Sequence, residues 1–415
     1  MPVTLRYLAP AGSPFSALDL ARWSKVAVST PNASAQLEAV LRGRFGVRNV
    51  FLTSTGRAGL AVLLRAMRRL APAARDEVVV PSYTCYSVPA SIAKAGLRVR
   101  IADISPYTLD YAPDALAGTD FSRVLAVVAT NLYGLPNDLP GLQRLTRQHG
   151  CFLIDDAAQA MGGAVEGRWS GTWGDAGLFS FDKGKNVSAI DGGAIVTSSD
   201  DLADSLRLEM AGLRAPTAGA SSMHVLKAIA YFAMLRPWLY GIPARIPQLG
   251  LGRTEYTTEF PLELADPVLM ALGRIMMERL DEFTARRRSN AAATLEALRA
   301  VPGITAVAPR AGAAPAYLRL PLLVNAARAQ RGVIQALNAG GIGATGSYPA
   351  SLADVTEVQS LLANPRPSAA GGRDVARRIV TLPTHPFVRT SDIHRMAEIL
   401  SDSTVSTPPQ RAYLA

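Results

Sequence analysis

The sequence predicts an α/β protein in which a large domain, built on a mostly parallel sheet, is followed by a smaller α+β domain. From about residue 34 to 200, short runs rich in Val and Ile alternate with stretches of helical periodicity, which is the pattern of βα units. One long amphipathic helix is predicted at 266–299, and strands mix with helices beyond it. The chain has 415 residues, more than the roughly 100–200 of a typical domain, so two domains are expected.

Strand-like runs and helix candidates alternate through the first part of the chain. The strand-like runs lie at 78–80, 99–102, 124–129, 152–154, 178–181 and 194–197. Helix candidates between them include 56–70 and 87–95. Parallel strands need such helical crossovers, and we therefore assign residues 1–265 to the large domain.

Residues 266–299 are predicted to form one helix that links the two domains. Its apolar residues recur at i, i+3 and i+4 spacings, and arginines follow near its end: Leu269, Leu272, Ile275, Met276, Leu280, Phe283, Arg286, Arg287 and Arg288. The small domain takes 300–415, with a strand at 317–324 and helices at 328–339 and 393–400. Its tail after Ser401 is rich in Ser, Thr and Pro and is expected to fray.

Residues 217–258 interrupt this order with an apolar and aromatic insertion. Its segment 225–235 is apolar nearly all round, and Arg236 and Trp238 follow. A bilayer span needs about 20 apolar residues, so this segment is too short to cross a membrane. It can lie in the membrane interface, with a peripheral contact through 223–247, or form a helical hairpin packed on its own protein or on a partner subunit.

The cysteine content favours a reducing compartment. Cys85 and Cys151 are the only cysteines, and two thiols cannot supply a disulfide framework for a chain of this size. The first residues lack a charged head followed by an apolar run, so we expect no signal peptide. These features predict a cytoplasmic protein, with a peripheral position at the inner face of the membrane if the insertion is interfacial.

The formal charge of +10 is carried almost entirely by arginine, because only five of the 43 basic residues are lysines. The arginine excess is explained either by attraction to anionic partners or by the nucleotide composition of the genome. No basic run with interleaved aromatics indicates a nucleic-acid groove, so no nucleic-acid partner is expected. Phosphorylated small molecules or an anionic membrane surface fit the charge better.

Two turns that follow predicted strands carry candidate binding residues. Thr55, Gly56 and Arg57 open a predicted helix, where free N–H groups can bind a phosphate. Ordinary helix capping explains the same residues. A second turn ends in Cys85 and Tyr86 and can cover one face of a planar cofactor, although structural packing explains these side chains equally well.

Two adjacent carboxylates end the predicted strand at 152–154. Asp155 and Asp156 lie at the carboxyl end of a strand, where ligands bind in a parallel sheet, and Gln159 follows. An acid buried beside a pyridine nitrogen would keep that nitrogen protonated. A helix cap and a metal site are the alternatives, although no histidine or further carboxylate lies at ligand spacing and the four histidines are scattered.

Two of the five lysines, Lys183 and Lys185, lie close behind Ser180 at the end of another predicted strand. A lysine there loses its proton readily when it is desolvated or near another cation, and it can then form an imine. Either lysine fits on chemistry alone. Two solvated lysines in a turn are the alternative.

Taken in order, these segments resemble the DegT/DnrJ/StrS family of sugar aminotransferases, which depend on pyridoxal 5'-phosphate (PLP) and have the fold-type-I PLP-transferase fold. The resemblance covers roughly residues 34–215 and 263–400. Its signatures are Gly56-Arg57-Ala58, Asp156-Ala157-Ala158-Gln159, Ser180-Phe181 with Lys185-Asn186, Asp191-Gly192-Gly193, Tyr348-Pro349 and Leu382-Pro383-Thr384-His385-Pro386. Each signature is weak alone, but the ordered set is specific.

The resemblance implies a seven-stranded, mostly parallel sheet between helices, and PLP as the cofactor. The family's Schiff-base lysine lies five residues after its serine, which makes Lys185 the catalytic residue behind Ser180. Asp156 would pair with the pyridine nitrogen, and Gln159 would contact the ring hydroxyl. Ser180 and the turn at 55–57 would hold the phosphate.

Several positions depart from the family pattern and predict a divergent pocket. Cys85 lies where many members place Trp or Phe over the ring, so Tyr86 or another group must cover it, or that face is more open. Asn131 lies where many have His, and the segment 259–263 lacks the Asn that reaches the phosphate of the partner subunit. Arg57, in place of Thr, can supply a charge-assisted phosphate contact instead.

By the same resemblance, we expect a homodimer that moves an amino group from glutamate or glutamine to a keto-sugar, usually nucleotide-linked, in surface-glycan, lipid or secondary-metabolite biosynthesis. Lys183, as a neighbouring cation, would either favour the loss of the proton from Lys185 or attract such an anionic substrate. The insertion raises a second hypothesis, an acceptor that is lipid-linked or held at a membrane. A third is a PLP-binding regulator or scaffold without turnover.

Overall fold

A computed structural model describes residues 6–29, 32–244, 255–325, 327–364 and 366–405. In these residues the helices are α1 (Ala17–Ser29), α2 (Ala33–Phe45), α3 (Gly56–Leu70), α4 (Ser87–Lys94), α5 (Leu139–His149), α6 (Asp200–Ala211), α7 (Ala218–Met234), α8 (Gly241–Ala244), α9 (Pro267–Met277), α10 (Leu280–Ala297), α11 (Ala327–Ala339), α12 (Thr356–Gln359), α13 (Ala370–Arg378) and α14 (Thr390–Val405). The strands are β1 (Asn49–Thr53), β2 (Glu77–Pro81), β3 (Arg98–Ala102), β4 (Val124–Thr130), β5 (Phe152–Asp156), β6 (Ala164–Val165), β7 (Arg168–Trp169), β8 (Ala176–Ser180), β9 (Gly193–Thr197), β10 (Ile304–Ala306), β11 (Ala313–Ala314), β12 (Arg319–Val324) and β13 (Ile379–Pro383).

The central sheet has the strand order β1-β9-β8-β5-β4-β2-β3. The run from β8 to β3 is parallel, whereas β9 is antiparallel to both of its neighbours. The predicted seven-stranded, mostly parallel sheet is therefore confirmed. The carboxyl ends of its parallel strands meet at one edge, where Asp156 of β5 lies in register with Thr130 of β4 and Leu178 of β8.

Burial on both faces explains why these strands read as continuous apolar runs. Every residue of β2, β4 and β8 is buried, as expected for a parallel sheet covered by helices on both sides. One core joins α3 and α4 to the face that carries Leu178 and Ile195. A second core joins α2 and α9 to the opposite face, which carries Phe179 and Ala194.

The single helix predicted at 266–299 is wrong, because the structure has two helices there, α9 and α10. Asp266 caps α9, and Pro267 occupies its first turn. At Arg279 the backbone leaves helical geometry (φ −100°, ψ 1°) before α10 begins. The Arg279 guanidinium donates to Asp19 of α1 (2.9 Å) and holds the chain at this break.

The C-terminal part is the predicted mixture of strands and helices. An antiparallel sheet, β10-β12-β13, packs with α11 and α14 around Leu320, Leu337 and Met396. A third sheet, β11-β6-β7, joins this part to the large one. The predicted fraying after Ser401 is wrong as far as Val405, because α14 continues to that residue, and 406–415 lie outside the described residues.

Helix α7 forms the first part of the 217–258 insertion, and residues 245–254 lie outside the described part of the chain. The rings of Tyr231 and Phe232 pack against Phe15, at centroid distances of 5.9 and 5.7 Å. The insertion therefore packs on its own protein along one side of α7.

The other side of α7 is apolar and open. Ala228 is its only fully buried residue, whereas Leu226 and Ile229 are 61% and 47% exposed and Trp238, after the helix, is 68% exposed. In the part of the chain that the structure describes, no helix is long and apolar enough to cross a membrane. Contact with a membrane surface through 223–247 stays a prediction.

Candidate active site

A cavity of about 200 Å³ opens at the carboxyl edge of the central sheet. We call it the sheet-edge cavity. It is lined by Cys85, Tyr133, Gln159, Asp182, Lys183, Gly184, Lys185, Leu318, Arg319, Ser347 and Tyr348. Three residues predicted for one site from separate segments of the sequence, Cys85, Gln159 and Lys185, are therefore brought together here.

The backbone around Lys185 is held on both sides. Its N–H donates to the Asp182 carbonyl (3.1 Å), and its carbonyl accepts from the Ser13 hydroxyl (2.6 Å), which also reaches the Asn186 carbonyl (2.7 Å). The side chain of Lys185 is half-buried, whereas that of Lys183 is exposed. Both lysines line the sheet-edge cavity, and Lys185 is the more buried of the two.

Asp155 is a structural carboxylate. It is fully buried and accepts hydrogen bonds from Asn131 Nδ2 (2.8 Å) and from the backbone N–H groups of Gly171 (2.6 Å) and Trp173 (3.2 Å). Burial raises the pKa of Asp155 to about 6, and these hydrogen bonds oppose the rise. Its carboxylate fastens the 171–173 loop to β5.

Asp156, the next residue on β5, has its side chain on the opposite face of the sheet. One of its oxygens accepts from the Ala158 N–H (3.0 Å). Burial raises the pKa of Asp156, while the charge of Lys185 lowers it, so these two groups lie within electrostatic reach of each other. The alternation along β5 thus separates a structural acid from one that faces Lys185.

The amide of Gln159 is fixed between two tyrosines. Its Oε1 accepts from the Tyr133 N–H (3.0 Å), and its Nε2 donates to the Tyr348 hydroxyl (3.0 Å). Tyr133 has a positive φ of 56°, and Tyr348 is buried. The pair of hydrogen bonds gives the amide one orientation at the cavity wall.

The start of α3 and the end of β8 form a cradle for an anion. The Thr55 hydroxyl caps α3 by accepting from the Ala58 N–H (3.0 Å). A Cβ at Gly56 would lie 3.1 Å from Ser180 Cβ and 3.3 Å from Ser180 Oγ, a tight contact that would push the turn and Ser180 apart. Backbone N–H groups of a long helix and a serine hydroxyl thus face the same space, as phosphate sites require.

Six of the predicted site residues are not part of the sheet-edge cavity lining: Thr55, Gly56, Arg57, Tyr86, Asp156 and Ser180. The side chains of two of them, Arg57 and Tyr86, are engaged elsewhere. The Arg57 guanidinium lies over the Phe260 ring, 5.3 Å from its centroid. The Tyr86 hydroxyl donates to the Ala350 carbonyl (3.2 Å) and accepts from its N–H (3.0 Å). On this wall the cavity is bordered by Cys85, whose Sγ accepts from the Ser87 hydroxyl (3.0 Å).

Arg287 holds together segments that border the sheet-edge cavity, a role that was not predicted from the sequence. It is fully buried in α10 and donates to the Gly12 carbonyl (2.6 Å), the Ser13 hydroxyl (3.1 Å) and the Leu318 carbonyl (3.1 Å). Burial lowers the pKa of Arg287 to about 10. Because Ser13 also bonds the Lys185 carbonyl, Arg287 connects the N-terminal segment, the small sheet and the Lys185 loop.

The structure adds an arginine to the cavity wall as well. Arg319 begins β12, and its guanidinium donates to the Thr345 hydroxyl (2.9 Å). It lines the sheet-edge cavity together with Ser347. The signal that could have found it is a charged residue at the start of an otherwise apolar strand.

The described residues do not support the alternative of a metal site. Among them, no group of three or more His, Cys, Asp and Glu side chains is arranged to hold a metal ion. Asp155 is instead occupied by backbone and amide donors.

A family model described as the DegT/DnrJ/EryC1/StrS aminotransferase family matches residues 21–232 and 264–401. Among curated proteins, UDP-N-acetyl-3-dehydro-alpha-D-glucosamine 3-aminotransferase from Acidithiobacillus ferrooxidans is 35% identical over 179 residues, 42% of this chain and 47% of the relative. GDP-perosamine synthase from Vibrio cholerae is 34% identical over 174 residues, 42% of this chain and 47% of that protein. A pleiotropic regulatory protein from Geobacillus stearothermophilus is 34% identical over 134 residues, 32% of this chain and 36% of that protein. The matched segments therefore span about half of these relatives, or less.

Solved structures share the fold along nearly the whole chain. The aminotransferase PseC of Helicobacter pylori, involved in pseudoaminic acid biosynthesis, has a TM-score of 0.79 at 16% identity, covering 97% of this chain and 100% of that one. The aminotransferase TlmJ from Streptoalloteichus hindustanus has a TM-score of 0.77 at 24% identity, covering 96% and 99%. At these identities the likeness concerns the fold.

Proposed function

Because the chain belongs to the DegT/DnrJ/EryC1/StrS aminotransferase family, we propose that it is a PLP-dependent aminotransferase that moves an amino group from glutamate or glutamine to a keto-sugar. One observation carries the proposal: the segments around residue 56, residue 156 and residues 180–185 lie together at one edge of the sheet, with Gly56 against Ser180 and Asp156 within electrostatic reach of Lys185. These residues all lie within the segments that the family model matches.

The residues present fit PLP. The Gly56–Ser180 cradle offers helix N–H groups and a hydroxyl to the phosphate, and a Cβ at residue 56 would close it. Asp156 would face the pyridine nitrogen, and Gln159 would contact the ring hydroxyl from its fixed orientation. Lys185 would form the covalent imine. When bound, PLP supplies an electron sink for the substrate carbon that loses its proton.

The chain itself moves the proton. With the cofactor bound, Lys185 Nζ would be the acid/base that moves the proton between the amine-bearing carbon of the substrate and the cofactor carbon, in one direction for the donor and in the opposite direction for the acceptor. The hydrogen bonds at the Lys185 N–H and carbonyl hold the backbone of this base in place. Burial raises the pKa of Asp156, and a protonated pyridine nitrogen beside it would favour the ionised carboxylate through charge pairing.

The names of the relatives support a keto-sugar acceptor linked to a nucleotide. One acts on a UDP-linked dehydro-sugar, and another is a GDP-perosamine synthase. Such reactions belong to surface-glycan, lipid or secondary-metabolite biosynthesis. On the family resemblance, we further propose that the protein is a cytoplasmic homodimer. The alternative to a free nucleotide-linked acceptor is a lipid-linked or membrane-held one, and the open apolar side of α7 supports it, as it supports a peripheral membrane contact.

A regulator without turnover is the second candidate, supported by the match to a pleiotropic regulatory protein. One assay separates the two. Purified protein loaded with PLP is mixed with glutamate while its visible absorbance and the formation of 2-oxoglutarate are followed. Loss of the visible absorbance, with formation of one equivalent of 2-oxoglutarate per site, supports the aminotransferase. A stable absorbance without product, in the wild-type protein and in Lys183→Ala, would contradict it.

A further inference from the structure

A second cavity, of about 450 Å³, adjoins the sheet-edge cavity. The two share Asp182, Lys183, Gly184 and Arg319 in their linings, so they meet at the Lys185 loop. We call the second one the α7 cavity, because its outer wall is formed by α7 and the turn that follows. It extends the site from the proposed reacting lysine towards the surface.

Three cations surround the α7 cavity, and each comes from a different element. Lys183 lies on the loop after β8, Lys227 on α7 and Arg319 at the start of β12. Among the described residues, none of the three forms an ion pair with a carboxylate, and the only acid in the lining is the exposed Asp182. Three cations against one acid leave the lining with a net positive charge, and cations that converge on a concave surface attract anions.

The rest of the lining is apolar or aromatic. Met234 and Leu235 end α7, and the rings of Tyr231 and Tyr240 flank them. A ligand that fits this cavity therefore combines an anionic group with a flat or apolar carrier.

Part of this lining lies outside the segments that the family model matches. The match covers residues 21–232 and 264–401, so Met234, Leu235 and Tyr240 lie in the stretch between them. Lys183, Lys227 and Arg319 lie within the matched segments.

We propose that the α7 cavity binds the phosphate-bearing end of the acceptor. A phosphate or diphosphate lies between Lys183, Lys227 and Arg319, its carrier packs on Met234 and Tyr240, and the keto carbon points to the sheet-edge cavity. Only the identification of this ligand as the acceptor rests on the proposed function. Its carrier is either a nucleoside or an isoprenoid, since both combine a diphosphate with a group that packs on apolar and aromatic side chains.

The test is isothermal titration calorimetry of the PLP-loaded protein with three probes: inorganic pyrophosphate, UDP and geranyl diphosphate. We expect at least one of the carrier-bearing probes to bind more tightly than pyrophosphate, which would also identify the carrier. Lys227→Glu should weaken that binding about tenfold or more, because an attractive charge becomes a repulsive one. The matched control is Lys25→Glu, the same charge reversal at an exposed residue of α1 outside the lining, which should leave binding unchanged.

Two results would overturn the proposal. One is the absence of binding of all three probes to wild-type protein. The other is an equal loss of affinity in Lys227→Glu and Lys25→Glu, which would reduce the effect to net charge. The reaction with glutamate tests the proposed function separately. If glutamate reacts but none of the probes binds, the α7 cavity proposal is wrong and the proposed function stands. If the probes bind but glutamate does not react, the α7 cavity is an anion site in a protein of another function.

Discussion

The substitution Gly56→Ala tests whether the start of α3 closes on Ser180 to form an anion cradle. An added Cβ would lie 3.1 Å from Ser180 Cβ and 3.3 Å from its Oγ. Carbon atoms in ordinary contact are about 3.5–4.0 Å apart, so the two segments must separate by roughly half an ångström. Both segments are held by sheet and helix hydrogen bonds, and neither can move without strain.

Overpacking of this kind costs about 1–3 kcal/mol. If the cost falls on the PLP-loaded state, the dissociation constant of PLP rises by a factor of about 5 to 150. Titration of the apoprotein with PLP, followed by visible absorbance, measures this factor directly.

Gly43→Ala is the matched control. Gly43 is an exposed residue of α2, and among the described residues no atom beyond its own helix lies within 4 Å of the position of a Cβ. Alanine there should stabilise the helix by about 0.5–1 kcal/mol and leave PLP affinity unchanged. Wild-type PLP affinity together with a wild-type melting temperature in Gly56→Ala would refute the cradle.

The remaining predictions concern buried titratable groups. Asp155→Ala should lower the free energy of unfolding by about 2 kcal/mol or more, because two buried N–H groups lose their acceptor. Urea unfolding at pH 8 measures this, since the carboxyl, with a pKa of about 6, is then ionised and accepts hydrogen bonds on both oxygens. Asp156→Ala should mainly weaken PLP binding, and equal urea midpoints for the two cofactor-free variants would contradict this division. Burial lowers the pKa of His385 to about 4, so the unfolded chain binds a proton at a higher pH than the native protein does. Stability is then lost as the pH falls from about 6.5 towards 4, by up to about 3 kcal/mol. His385→Gln should flatten the urea midpoint across that range, and a slope equal to that of wild type would show that another group is responsible.

Elements with strong local signals were predictable from sequence. The helix predicted at 56–70 has those bounds because Thr55 caps it and its apolar face is buried against the sheet. The strands were recognisable because burial on both faces requires continuous apolar runs. By contrast, the break at Arg279 was missed, because the apolar periodicity continues past this one residue of non-helical backbone.

Part of the candidate site was predictable because its residues lie at or after the ends of recognisable strands. Asp156, Gln159 and Lys185 follow strand ends, and parallel strands bring their carboxyl ends to one edge. The sequence alone does not show which of Asp155 and Asp156 is the structural acid. That distinction needs the partners of each side chain, which the structure supplies.

The supporting contacts were not predictable, because they join residues distant in sequence. Arg287 and Ser13 are 274 residues apart, and no local pattern marks a buried arginine that bonds carbonyl groups and a hydroxyl. The α7 cavity likewise depends on three separate elements. Arg57 and Tyr86, which were proposed from their positions beside strand ends, have side chains engaged elsewhere.

The central claim is that Lys185, and not Lys183, carries the cofactor. Reduction of the PLP-loaded protein with borohydride fixes the cofactor to its lysine, and peptide mass mapping with fragmentation then locates it. The structure predicts the added mass on Lys185 in wild type and in Lys183→Ala, and no attachment in Lys185→Ala. Attachment at Lys183, or a Lys185→Ala variant that still binds PLP covalently, would contradict the account.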